Sequence, residues 1–121
     1  MDNETVARIA GTTPTKVADY RLVCDDTADA DNFLLVRRGD ILHLVADVRG
    51  LGGRKMLKGI CTALHKWFAD TTVLYAPIPL GNARSMRVAR AFGFYPYTAT
   101  ESHVWMMQTK DRFLRLDRRF A

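Results

Sequence analysis

Leu44-Val45-Ala46-Asp47-Val48-Arg49-Gly50-Leu51-Gly52-Gly53-Arg54-Lys55-Met56-Leu57 runs from an apolar stretch, through a glycine-rich turn, into an amphipathic one. The apolar part, Ile41 to Val48, crowds hydrophobic side chains on both faces, the pattern of a strand buried on both sides. After the glycines, Met56, Leu57, Ile60, Cys61, Leu64, Trp67 and Phe68 recur at helical spacing and predict a helix from Arg54 to about Ala69. A strand, a glycine loop and a helix in this order make an anion site. The first helical turn has unpaired N–H groups and the positive end of the dipole, and glycines let a diphosphate approach the backbone. Arg49, Arg54 and Lys55 add formal charge there. The same loop also reads as an ordinary tight strand-to-helix turn.

Outward from this unit, Phe33-Leu34-Leu35-Val36 reads as a strand and Arg38-Gly39-Asp40 as a hairpin turn. Val73 to Ile78 reads as the strand after the helix. Strand, helix and strand imply a right-handed crossover and a parallel pair inside a mixed sheet. Pro77 and Pro79 have no N–H, so pairing must end on the side they face, and the two parallel strands should splay near Pro77. Asn82 is a good N-cap for a helix from Ala83 to Phe92, Gly93 its stop, and His103 to Gln108 the last strand. The first 31 residues read as a helical and loop segment. Asn3 to Ala10 is a short helix with Asn3 as cap and Gly11 as stop, Val17 to Val23 is a helix or a strand, and the acidic Asp25 to Asp31 is a loop. The division is thus 1–31, a core at 32–110, and a basic amphipathic tail at 111–121.

Two motifs carry a family resemblance. The stretch around Arg49 to Arg54 is similar to the diphosphate loop of GCN5-related N-acetyltransferases (GNAT). Asn82-Ala83-Arg84-Ser85-Met86-Arg87-Val88-Ala89-Arg90-Ala91-Phe92-Gly93-Phe94 is similar to their Asn…Gly-Phe segment. The resemblance covers about residues 32 to 110 and implies an α/β (α+β) fold, a GNAT-like mixed sheet with a central strand–glycine loop–helix–strand unit. It implies acetyl-CoA as cofactor. Leu44 and Val45 would hold the pantetheine arm, Arg49, Gly50, Gly52, Gly53 and Arg54 the diphosphate, and Asn82 would be a further contact. The loop departs from the family pattern. Either Arg54 stands at the second glycine, or the loop is one residue short and Gly53 is the last glycine. The tyrosine with which many members protonate the leaving thiolate aligns with Ala89. A looser resemblance is to small acetyltransferase-like proteins of phage virions, which implies a non-enzymatic structural or assembly role.

No catalytic residue is fixed by the sequence. Asp47 and His43 are the candidate bases for an attacking amine, each with a plain structural alternative as loop cap or sheet residue. His43, His65 and His103 lie far apart and Cys24 and Cys61 form no pair, so no metal is expected. Cys61 falls on the apolar helix face and reads as core. With 121 residues, 48% of them hydrophobic and a net charge of +5, the chain fits one soluble domain with an anionic partner. No apolar run approaches a membrane span, and Met1-Asp2-Asn3-Glu4 lacks the layout of a signal peptide. The cytoplasm is therefore the expected compartment, or host cytoplasm or virion under the phage reading. In the tail, Phe113, Leu116 and Phe120 fall on one helical stripe, with Arg112, Arg115, Arg118 and Arg119 around it. This stripe needs burial against the domain or against another chain, with a partner chain or a second copy the favoured expectation, and the arginines with the two phenylalanines give a weaker nucleic-acid reading.

Overall fold

The computed structural model describes residues 1–47 and 53–116. Among these, six strands form one mixed sheet in the order β1-β2-β3-β4-β6-β5, with five helices. The chain runs α1 (Asn3–Ala10), α2 (Pro14–Val23), β1 (Asp26–Asp29), β2 (Phe33–Arg38), β3 (Ile41–Ala46), α3 (Gly53–Trp67), β4 (Val73–Pro79), α4 (Ala83–Ala91), β5 (Tyr95–Ala99), β6 (His103–Thr109) and α5 (Lys110–Leu116). β3 and β4 are the parallel pair and every other pairing is antiparallel. β3 is central, as expected, and the expected end of this strand at Val48 lies outside the described residues.

The sheet faces divide the core. Leu42 and Ala46 of β3, Leu74 and Ile78 of β4 and Met106 of β6 share one face, where the apolar stripe of α3 packs on them together with Phe92 and Phe113. The opposite face of β2, Leu34 and Val36, is covered by Val6, Ala7 and Val17 of α1 and α2. Gly59 fixes how closely α3 sits. A Cβ there would lie 2.9 Å from the Phe33 ring, so only glycine allows this approach.

Four local readings are corrected. Asp2, not Asn3, caps α1, its carboxylate accepting from Thr5 N–H at 2.7 Å. The segment at Val17 is helical throughout, because Thr13 caps it and Pro14 opens it. Asp26–Asp29, read as loop, is an edge strand on β2. Its acidic side chains are held by partners distant in sequence: Asp26 accepts from Trp67 Nε1 at 2.9 Å and pairs with Lys66 at 3.0 Å, and Asp29 pairs with Arg21 at 2.8 Å. Tyr95–Ala99, left unassigned, is the other edge strand. Pro96 sits in it beside a register shift, which is where an edge tolerates proline.

The stripe of the tail also lands differently. Phe113 is fully buried in the chain's own core, stacked on Phe68 with ring centroids 5.1 Å apart and edge-on to His65. α5 is therefore part of the domain rather than an appendage at the 110/111 boundary. The apolar surface left by α3 and β6 needed a cover, and α5 follows β6 without a loop. Leu116 approaches Gly93, whose φ of 80° ends the turn after α4. Phe120, Arg118 and Arg119 lie outside the described residues.

Phe113→Ala should cost about 3–5 kcal/mol of stability, read by urea unfolding. Asp26 titrates below its ordinary 3.8, held down first by the Trp67 N–H and then by Lys66. Its contribution is present above pH 3.8 and is lost as pH falls through the lower folded value. Asp26→Asn should thus lower the melting temperature most at neutral pH, and the gap to the unsubstituted protein should close in acid.

Candidate active-site cleft

β3 and β4 share one bridge, Ile41↔Tyr75, with Tyr75 N–H donating to Asp40 O at 2.7 Å. The reason lies in strand parity. Along β4 the odd residues turn their backbone to β3 and the even ones to β6, as Leu80 N–H donating to Ser102 O at 3.0 Å confirms. The next two odd positions are Pro77 and Pro79, which have no N–H to give. Pairing with β6 continues to Pro79↔His103, while pairing with β3 stops at Tyr75. The strands part at the expected place, and for the expected reason.

The same parity assigns the backbone of β3. Odd residues bond to β2, as in Leu34↔Val45 and in Asp47 N–H donating to Asn32 O at 2.8 Å. Even residues face β4, so beyond the bridge the peptides of Leu44 and Ala46 face the gap. Of the two arm-binding residues drawn from the sequence, Leu44 presents main chain to the cleft, whereas the backbone of Val45 belongs to β2. Ala46 was missed, although the alternation of a strand was enough to find it.

The gap opens into a cleft of about 730 Å³. Its walls are His43 to Ala46 of β3, Ala76 to Pro79 of β4, Asn82 to Ser85 and Arg87 to Ala89 near and on α4, and Ile9 and Ala10 of α1. Asn82 caps α4, its Oδ1 accepting from Ser85 N–H at 3.1 Å, which leaves the carboxamide NH₂ for a ligand. Arg84 and Arg87, three residues apart on one helix, both line the cleft and were not singled out from the sequence. Their i,i+3 spacing after a cap was the available signal.

The glycine loop is described only at its end. Arg49, Gly50 and Gly52 lie outside the described residues. Gly53 opens α3, and among the described residues a Cβ on it would meet nothing within 4 Å. Arg54 is exposed beside it. Asp47 does not line the cleft, whereas His43 does. The His43 ring has a solvent-facing edge, but the surrounding protein desolvates it enough to hold its pKa below the ordinary 6.5, and the charge of His103 acts in the same direction. Its Nδ1 lies 2.8 Å from Tyr20 Oη.

Among solved structures, an uncharacterized protein from Bacillus halodurans superposes with a TM-score of 0.71 at 14% identity, over 97% of this chain and 79% of that one. The aminoglycoside acetyltransferase AAC(6')-Ib in complex with coenzyme A superposes with a TM-score of 0.65 at 13% identity, over 94% of this chain and 87% of that one. The chain has a GNAT-like fold. No family model and no curated protein matches the sequence. Identities this low establish the fold alone, and Ala89, which the sequence resemblance aligns with the GNAT tyrosine, is buried against the core. Among the described residues no helix is long and apolar enough to cross a membrane.

Asn82→Ala should remove one cap bond and cost about 1 kcal/mol of stability, measured by thermal unfolding.

Proposed function

We propose that the chain binds an acyl-CoA in the splay between β3 and β4 and transfers the acyl group to an amine, with acetyl-CoA as the first donor to test. The observation that carries this is the pair of inward-facing peptides at Leu44 and Ala46, opposite a strand that cannot bond to them. A pantetheine arm carries amides of its own and can take the place of the missing strand, forming hydrogen bonds that the GNAT-like sheet lacks between β3 and β4. The solved neighbour AAC(6')-Ib carries coenzyme A and supports the choice of ligand. The phosphates of the cofactor would meet the start of α3 at Gly53 and Arg54. Arg84 and Arg87 from α4, with Asn82, add donors on the other wall. Arg49, Gly50 and Gly52 keep the diphosphate role that the resemblance gives them.

The reaction is aminolysis of a thioester. The amine nitrogen forms a bond to the acyl carbon, the carbon–sulfur bond breaks, and the thiolate and one amine proton leave as the free thiol and the amide product. A second reading is a non-enzymatic virion or assembly component that keeps the fold. It draws on Ala89, and on the C-terminal residues 117–121 as a contact for a protein partner.

Calorimetric titration with acetyl-CoA should give saturable binding near one equivalent. Gly53→Val, with its melting temperature measured alongside to show that it is folded, should weaken binding about tenfold, or ~1.4 kcal/mol. Unaltered affinity in that variant would remove the diphosphate from the start of α3. Absence of binding by the unsubstituted protein would sink the cofactor reading altogether.

A further inference from the structure

We propose that Tyr20 and His43 act together as the proton-accepting pair of the cleft, with His43 Nε2 as the base and Tyr20 fixing its tautomer. This rests on the acyl-transfer reading above. The sequence left His43 beside Asp47 as a candidate and gave Tyr20 no role. Among the described residues that line the cleft, His43 alone has a side chain that ionises near neutral pH. The other polar groups there are Asn82, Ser85 and two arginines, and arginine stays protonated. An amine cannot attack a thioester while it keeps its extra proton, so a base must stand at the cleft.

The geometry says how His43 would serve. It is an odd residue of β3, so its side chain lies on the side of the sheet covered by α1 and α2. Tyr20 projects from α2 and meets it edge-on, ring centroids 5.4 Å apart at 82°, with Oη 2.8 Å from Nδ1. A neutral imidazole has one N–H. If Nδ1 carries it and donates to Tyr20 Oη, Nε2 keeps a free lone pair for the amine proton. Tyr20 Oη can take this acceptor role through an oxygen lone pair while the group stays a phenol. Burial raises its pKa from 10.0, Arg38 of β2 opposes that rise less strongly, and Cys24 adds to it. Burial disfavours protonation of His43, and His103 of β6 acts in the same direction. His43 is therefore neutral, and ready to accept, at neutral pH. In the cycle, the extra proton of the ammonium passes to Nε2 and on to solvent, the neutral nitrogen attacks the acyl carbon, and as the carbon–sulfur bond breaks the second proton lost from nitrogen goes to the departing thiolate.

The test uses the full chain with acetyl-CoA and three primary amines: 1,4-diaminobutane, a lysine-bearing peptide and an amino sugar. Thiol release and calorimetric binding are followed for the unsubstituted protein, His43→Gln and Tyr20→Phe. Binding of acetyl-CoA should be the same in all three. The kcat/KM of the unsubstituted protein should rise with pH through a midpoint that matches the His43 pKa read by nuclear magnetic resonance. His43→Gln should lose that limb and about 100-fold in kcat. Tyr20→Phe should lose about tenfold in kcat, with KM nearly unchanged, and nitrogen-15 spectra should show His43 leaving the Nδ1–H form. The proposal is overturned if His43→Gln keeps the pH limb, if Tyr20→Phe changes neither tautomer nor rate, or if a protein that binds acetyl-CoA releases no thiol with any of the three amines. Failure to bind acetyl-CoA in the first place condemns the cofactor reading instead.

Discussion

Two missing N–H groups organise this molecule. Pro77 and Pro79 occupy the positions of β4 whose backbone points at β3, and nothing else about β4 prevents it from pairing, since its other edge is zipped to β6 along its whole length. Without them the parallel ladder could continue past Tyr75, the peptides of Leu44 and Ala46 would bond to β4, and the space between the strands would close. With them, the sheet holds together below the bridge and opens above it. The open edges would be costly if both ran through a dry core, because unpaired backbone groups must find partners. They face a cleft of about 730 Å³ instead, where water or a ligand amide can serve.

The elements around the gap are placed by contacts on its two sides. On one side, Gly59 lets α3 settle on Phe33, and Ile60 and Leu64 of the same helix line the cleft. Gln108, fully buried, donates from Nε2 to Phe92 O at 2.7 Å and so ties the end of α4 to β6. Its Oε1 accepts from Thr109 N–H at 3.0 Å, so the buried side-chain amide is satisfied at both ends. On the other side, α1 and α2 stay on the sheet through a small apolar cluster and through Arg21, which reaches Asn3, Met1 O and Asp29 at once. That arginine links both helices to the edge strand, and the linked helices bring Ile9 and Tyr20 to the cleft and to His43.

Much of this was legible in the residues, and the rest was hidden for identifiable reasons. The central unit could be read because its signals are local: an apolar run, a glycine cluster, a helical stripe, two prolines and a capping asparagine. The splay itself followed from the prolines. The edge strands could not be read in the same way. Asp26 to Asp29 has the composition of a loop, and its pairing with β2 is a tertiary fact, its carboxylates bound by Trp67 Nε1 and Lys66 at Asp26 and by Arg21 and the N-terminus at Asp29. Tyr95 to Ala99 contains a proline and a register shift, and its pairing with β6 is likewise a tertiary fact. The amphipathicity of the tail was visible, but periodicity does not say which surface a stripe meets, and Phe113 meets its own core.

The candidate site shows the same boundary between local and tertiary information. Leu44 and Asn82, singled out from strand and cap chemistry written in neighbouring residues, both line the cleft. Choosing between Asp47 and His43 required knowing which one faces the gap. Parity places the backbone of both on β2, since both are odd residues of β3 or its extension, and it cannot separate them. What separates them is depth. His43 lies within β3 and lines the cleft, whereas Asp47 lies beyond the strand's end at Ala46 and is not part of the cleft wall. The phenol that meets His43 comes from a helix whose own sequence shows almost no amphipathic pattern, with Leu22 and Val23 left exposed. Tyr20 was thus invisible to any argument from periodicity. Its role follows from the 2.8 Å contact between elements 23 residues apart, and contacts of that kind are what a fold adds to a sequence.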